Sequence, residues 1–145
     1  MFYIILIMVL LLSDQWIKNR IEQRRKLHQK EEILRGNIII TKYYNKGAFL
    51  GLLKDKQKLL ERINVIAIGV MIVYLIKLIL GKGSTLSKLS LSLIIGGALS
   101  NVYDRIQRKY VIDYFSFKGL KKVVFNMGDM FIFLGSIMLL FYKNK

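Results

Sequence analysis

Four apolar runs, each long enough or nearly long enough to cross a bilayer, constrain this chain more than any other feature. A hydrocarbon core of about 30 Å takes roughly 20 helical residues. The first run covers residues 1–17, and the stretch from Phe2 to Leu12 is wholly apolar. The second, 63–80, is interrupted only by Asn64 and Lys77. The third, 86–102, is more polar, with Lys88 at its start and Gly96-Gly97 inside. The fourth, 123–142, carries Asn126 and Asp129 near its start. A cleaved leader is the rival reading of the first run, but it lacks a basic start and a small-residue cleavage site. The expectation is an all-α membrane protein of four transmembrane helices, in one domain spanning 1–145.

Composition narrows the chemistry. Hydrophobic residues make up 54% of the chain, yet its formal charge is +15, so apolar and basic residues are segregated along it. With no cysteine, a disulfide, a thiol nucleophile and a thiolate metal site are excluded. The single histidine, His28, lies in a polar stretch and reads as solvated. A Ser-His-Asp triad or a histidine zinc site would have to use it, so neither is expected. No metal and no cofactor are expected. The basic residues flank the spans, so net charge alone does not make a nucleic-acid partner.

Carboxylates are few and clustered by topology. Of nine, five lie in the first loop: Glu22, Glu31, Glu32, Asp55 and Glu61. Antiparallel crossing brings the other four to one face. Asp14 ends the first span, Asp104 ends the third, Asp113 sits in the last loop and Asp129 opens the fourth span. Carboxylates at membrane depth are costly and face protein or trapped water. They serve either a functional cluster or simple pairing with Lys18, Arg105 or a helix end.

The first loop, 18–62, is too long for a plain connector. Residues 19–35 read as a polar helix, 37–44 as a strand, Asn45-Lys46-Gly47 as a turn, and 54–62 as a charged helix entering the second span. The loop is therefore expected to fold into a small strand-and-helix cap on the membrane surface.

Four motifs occur in order. They are Asp14-Gln15-Trp16-Ile17-Lys18; Asn45-Lys46-Gly47-Ala48-Phe49; Gly96-Gly97-Ala98-Leu99-Ser100-Asn101-Val102-Tyr103-Asp104-Arg105 followed by Val111-Ile112-Asp113-Tyr114-Phe115; and Phe125-Asn126-Met127-Gly128-Asp129. In order, spacing and placement this set resembles lipoprotein signal peptidase (signal peptidase II) across nearly the whole chain. Ser100, Lys109, Gly128 and Met130 depart from that family's pattern.

The resemblance implies an aspartic endopeptidase of the bacterial cytoplasmic membrane. It would remove signal peptides from diacylglyceryl-modified prolipoproteins, cutting before the lipidated cysteine. Asp113 and Asp129 match the catalytic aspartates. Asp14, Lys18, Asn45, Gly47, Asn101, Asp104, Arg105 and Asn126 match positions that bind substrate or support the pair. The resemblance also implies an extracytoplasmic active site, with the prolipoprotein as partner. The basic cap is expected to meet the anionic headgroups of membrane lipids, and a monomer is expected.

The residues are chemically suited to this. Two close carboxyls can share one proton, so that one acts as acid while the other stays ionised as base. Arg105 and Lys18 are expected to balance the remaining charge, and the three asparagines to orient carboxylates or the scissile carbonyl. Gly96 and Gly97 read as sites of close helix approach. The positive-inside rule would put the 13 Lys/Arg of the first loop in the cytoplasm, whereas the resemblance puts that face outside. A non-catalytic lipopeptide-binding homologue and a small transporter with a polar intramembrane site remain as alternative readings.

Overall fold

The structure, a computed structural model, describes residues 1–47, 54–81, 83–120 and 123–141. Ala48 and Phe49 of the second motif, Lys82 and the end of the fourth apolar run at Tyr142 lie outside the described residues. The elements in chain order are helix α1 (Phe2–Arg24), strands β1 (Glu31–Ile33) and β2 (Ile38–Asn45), helices α2 (Gln57–Leu80) and α3 (Thr85–Arg108), strand β3 (Val111–Phe117) and helix α4 (Met127–Leu140).

Three of the helices, α1, α2 and α3, are long and apolar enough to cross a membrane. The fourth apolar run yields a shorter helix of 14 residues, about 21 Å long. Its first residues do not join the helix because Phe125 pairs with the edge of β3 instead.

The buried side of α1 is polar. Asp14, Gln15 and Lys18 are buried, while Ile4, Ile5, Met8, Val9, Leu12 and Trp16 are exposed. Helix α2 likewise exposes Ile63, Ile66, Val70 and Val73. In lipid such apolar faces need no protein partner. Helix α3 sits in the middle and packs against each of the other three. Ile68 and Leu75 of α2 meet Leu91, Ile95 and Val102 of α3 in the apolar core. Small residues set the closest approaches. A Cβ on Gly96 would sit 2.9 Å from Leu10 Cβ, and one on Gly97 would collide with the Gly128 carbonyl. The glycine pair therefore does the packing that its sequence suggests.

The described chain is mostly helical, and the expectation that needs correction is the make-up of its cap. The described chain contains an antiparallel three-stranded sheet in the order β1-β2-β3. The first loop supplies two strands, and the third comes from the last loop, so the cap is not built from the first loop alone. The polar helix expected at 19–35 is only partly present. Helix α1 runs on unbroken to Arg24, and β1 then occupies some of the remainder. Two positive-φ residues, Leu34 and Arg35, precede Gly36 and turn the chain from β1 into β2. The strand expected at 37–44 is β2, shifted by one residue at each end.

Candidate active site

The sheet and α4 bring the aspartates together by identifiable local steps. Strand β2 pairs with β3 so that Tyr43 opposes Asp113 and Asn45 opposes Val111. A bulge between Ile40 and Tyr43 sets this register. Asn45 thus stands diagonal to Asp113 on the same face of the pair. Its Nδ2 donates to Asp113 Oδ2 at 2.9 Å, and its Oδ1 accepts from Gly47 N–H at 3.0 Å, closing the turn. On the other edge of β3, Phe125 exchanges backbone hydrogen bonds with Phe115 at 2.7 and 3.0 Å. That bridge delivers Asn126, one residue on, to the start of α4.

Asn126 joins the two aspartates. It is the N-cap of α4, its Oδ1 accepting from Asp129 N–H at 2.9 Å, while Asp129 Oδ2 accepts from Asn126 N–H at 3.1 Å. This reciprocal arrangement is a capping box with Asp in place of the usual Glu or Gln. The remaining group, Asn126 Nδ2, donates to Asp113 Oδ1 at 2.7 Å. Asn101 completes the set by donating from Nδ2 to Asp129 Oδ1 at 2.9 Å. Each of the four carboxylate oxygens therefore accepts one bond from a neutral donor and retains a lone-pair site.

The other two aspartates have different partners. Lys18, fully buried, lies 2.7 Å from Asp14 Oδ2 and 3.1 Å from Asp104 Oδ2. Arg108 pairs with the far oxygen of Asp104 and with Glu22. Ser100 Oγ donates to Asp14 at 2.5 Å and accepts from Gln15 and Lys18. The four aspartates of the acidic face thus divide into two pairs. Asp14 and Asp104 are neutralised by buried Lys18 and half-buried Arg108. Among the described residues, Asp113 and Asp129 have no cation within ion-pair distance.

Lys18 and Arg105 make no ion pair with Asp113 or Asp129, although the charge of Lys18 still pulls the Asp113 carboxyl down. Lys18 acts through Asn101, whose Oδ1 accepts from Nζ at 2.9 Å and whose amide group then faces Asp129. Arg105 donates to the Gly47 carbonyl at 3.0 Å, holding the turn that carries Asn45.

The electrostatic result is visible at Asp113, which is 2% exposed. Burial, and after it the charge of Asp129, pushes its carboxyl up from 3.8 to about 7, against the hydrogen bonds from Asn45 and Asn126. A proton can therefore be held within the pair near neutral pH. Asp129 is only half-buried, so the pair opens to the surface on its side. Among the described residues no group of three or more His, Asp or Glu side chains is arranged to hold a metal ion.

The protein-family model described as signal peptidase (SPase) II matches residues 6–144. The chain belongs to the signal peptidase II family. The lipoprotein signal peptidase of Halothermothrix orenii is 35% identical over 142 residues, covering 98% of this chain and 94% of that protein. The lipoprotein signal peptidase of Fusobacterium nucleatum is 31% identical over 149 residues, covering all of this chain and 90% of its own. A bacterial membrane enzyme solved by the in meso method at 2.3 Å resolution shares the fold, with a TM-score of 0.82 and 23% identity over 95% of this chain and 84% of that one.

Within this signal peptidase II fold, sequence reading missed Tyr114, Gln15 and Arg108. Tyr114 Oη donates to Asp14 at 3.1 Å and accepts from Met127 N–H at 2.9 Å, tying β3 to α1 and α4. Burial pushes its phenol up, so it remains a donor. Gln15 donates to Ser100 and Asp104 and accepts from Arg108. Arg108 could have been found from its position four residues after Asp104 on one helix. Gly128 also has a packing reason. A Cβ there would meet Asn126 Oδ1, Asp14 Oδ2 and the Gly97 carbonyl, each at 3.0 Å.

Proposed function

We propose that Asp113 and Asp129 are the catalytic pair of a membrane endopeptidase. The substrate is a diacylglyceryl-modified prolipoprotein, cut at the peptide bond before the lipidated cysteine. The observation that carries this reading is the division of the aspartates. One pair is neutralised by Lys18 and Arg108, and the other is held only by amides, with one member pushed up towards neutrality.

A single proton shared by Asp113 and Asp129 leaves one carboxylate ionised. That carboxylate takes a proton from a water, whose oxygen attacks the scissile carbonyl. The protonated partner donates to the carbonyl oxygen and stabilises the tetrahedral intermediate. A proton then passes to the departing nitrogen, the C–N bond breaks, and the cysteine amine is released. The proton count belongs to the pair as a unit. Asn45, Asn101 and Asn126 fix the carboxylates so that little reorganisation accompanies the charge movement. Asp14, Lys18, Asp104, Arg105 and Gly47 position those asparagines and the elements that bear them.

The same reading gives a monomeric, single-domain protein of the bacterial cytoplasmic membrane with the aspartates on the extracytoplasmic face. Helix α4 makes a fourth crossing. Reporter fusions at both termini test this arrangement: cytoplasmic termini are expected, and an external C-terminus overturns it. The activity is tested by offering purified protein in detergent a diacylglyceryl-modified prolipoprotein and sequencing the products. A new N-terminus at the lipidated cysteine is expected. Intact substrate, or cleavage elsewhere, contradicts the assignment.

A further inference from the structure

Between the start of α2 and the end of α3 lies an open cavity of about 420 Å³. Five cations line it, Lys46, Lys58, Arg62, Arg105 and Lys109, against one carboxylate, Glu61. Only Arg105 is shared with the site already described. Among the described residues none of the five is within ion-pair distance of a carboxylate. Arg105 Nε is buried and has no hydrogen-bond partner among them. Cations gathered in a concavity repel one another and focus a positive potential, which an anion relieves.

Lys109 supplies a second, independent observation. It ends α3 in the left-handed region, at φ 67°. Glycine suits that conformation and lysine strains it. The chain nevertheless carries a lysine there, and its side chain lines the cavity.

The depth of the cavity indicates what the anion is. Lys58 and Arg62 stand one turn apart on α2. Leu59, Ile63 and Ile66, interleaved with and following them, expose apolar side chains. The cavity therefore lies where α2 leaves the hydrocarbon, at headgroup level. We propose that it binds the phosphate-bearing headgroup of an anionic phospholipid. Seated there, the phosphate meets Arg105, which also holds the Gly47 carbonyl at 3.0 Å. The lipid would thus brace the turn that carries Asn45. The inference rests on the membrane reading and does not require peptidase activity.

The test uses the full chain in vesicles of phosphatidylcholine with a minor fraction of phosphatidylglycerol. Lipid retained on extraction is read by native mass spectrometry, separately from any cleavage assay. The unmutated protein is expected to retain phosphatidylglycerol preferentially. Arg62→Gln with Lys109→Gly should lower that preference about tenfold or more, since each surface cation contributes severalfold. Lys109→Gly relieves the strained backbone, so the thermal midpoint should not fall on its account. Lys58→Gln, at an exposed helix position, should lower the preference by about fivefold with the fold untouched. Equal retention of both lipids by the unmutated protein overturns the proposal. So does an unchanged preference in the variants, or loss of the retained phosphatidylglycerol when millimolar inorganic phosphate is added.

Discussion

Asn126 reaches from the cap of α4 to donate Nδ2 to Asp113 Oδ1 at 2.7 Å. The same side chain caps the helix that carries Asp129. One residue therefore fixes both members of the pair. Asn126→Ala should lower turnover by about a hundredfold or more, because misplacement of a reacting group by an ångström costs about that much. It should also cost about 1 kcal/mol of stability through the lost cap. Asn126→Ser keeps a capping hydroxyl but cannot span to Asp113. It should recover the stability and leave turnover low. Thermal melts and initial rates on the two variants separate these roles, and equal recovery of both properties would refute the bridging role.

The pH response follows from Asp113. Its carboxyl rises from 3.8 to about 7 on folding, so the native state holds a proton that the unfolded chain has already lost. The associated stability is complete below the unfolded value and drains away as pH rises through the folded one. The thermal midpoint of the unmutated protein should therefore fall relative to that of Asp113→Asn between about pH 4 and pH 7. Turnover should decline as pH rises beyond about 7, as the shared proton leaves the pair. A midpoint difference that does not change with pH would contradict the buried, raised carboxyl.

Lys18 touches neither Asp113 nor Asp129 by any hydrogen bond, yet its removal should be severe. Lys18→Met leaves Asp14 and Asp104 buried without this cation, which should cost about 3–5 kcal/mol. Combining it with Asp14→Leu should cost clearly less than the sum of the single changes, since the two form one buried pair 2.7 Å apart. Additive losses in thermal melts would show that the pair is not coupled.

Glycine substitutions test the helix contacts. Gly97→Ala drives a methyl into the Gly128 carbonyl and should destabilise the α3–α4 contact by about 1–3 kcal/mol. Gly69→Ala meets nothing within 4 Å and should be neutral or mildly stabilising. Similar melting temperatures for the two variants would contradict this packing.

Much of the site was legible because its residues are polar where polarity is expensive. Asp14, Lys18, Asn101, Asp104, Asn126 and Asp129 all stand within or beside apolar runs, and all fall within the buried network or the aspartate pair. Strand β2 was readable for a different reason, its run of β-branched and aromatic residues. Strand β3 was missed although Val111 to Phe117 is also rich in β-branched and aromatic residues; what no local signal reports is its partner, a strand more than 60 residues earlier. The break at the start of α4 was hidden likewise, since Val123 to Phe125 are apolar and continue the run by composition. Only the bridge between Phe115 and Phe125 removes them from the helix. Sequence also could not divide the four aspartates into two pairs. That division depends on Lys18 lying between α1 and α3, a distance set by Gly96 against Leu10.

The division is tested most directly by measuring turnover and thermal midpoint for four single variants, Asp14→Asn, Asp104→Asn, Asp113→Asn and Asp129→Asn. At about pH 4, where the pair is protonated, Asp113→Asn and Asp129→Asn should melt near the unmutated protein, and at the assay pH they should lose cleavage by about a thousandfold or more. Asp14→Asn and Asp104→Asn should melt several degrees lower, and the fraction that remains folded should still cleave. Cleavage by Asp113→Asn or Asp129→Asn within tenfold of the unmutated rate would contradict the assignment of the catalytic pair.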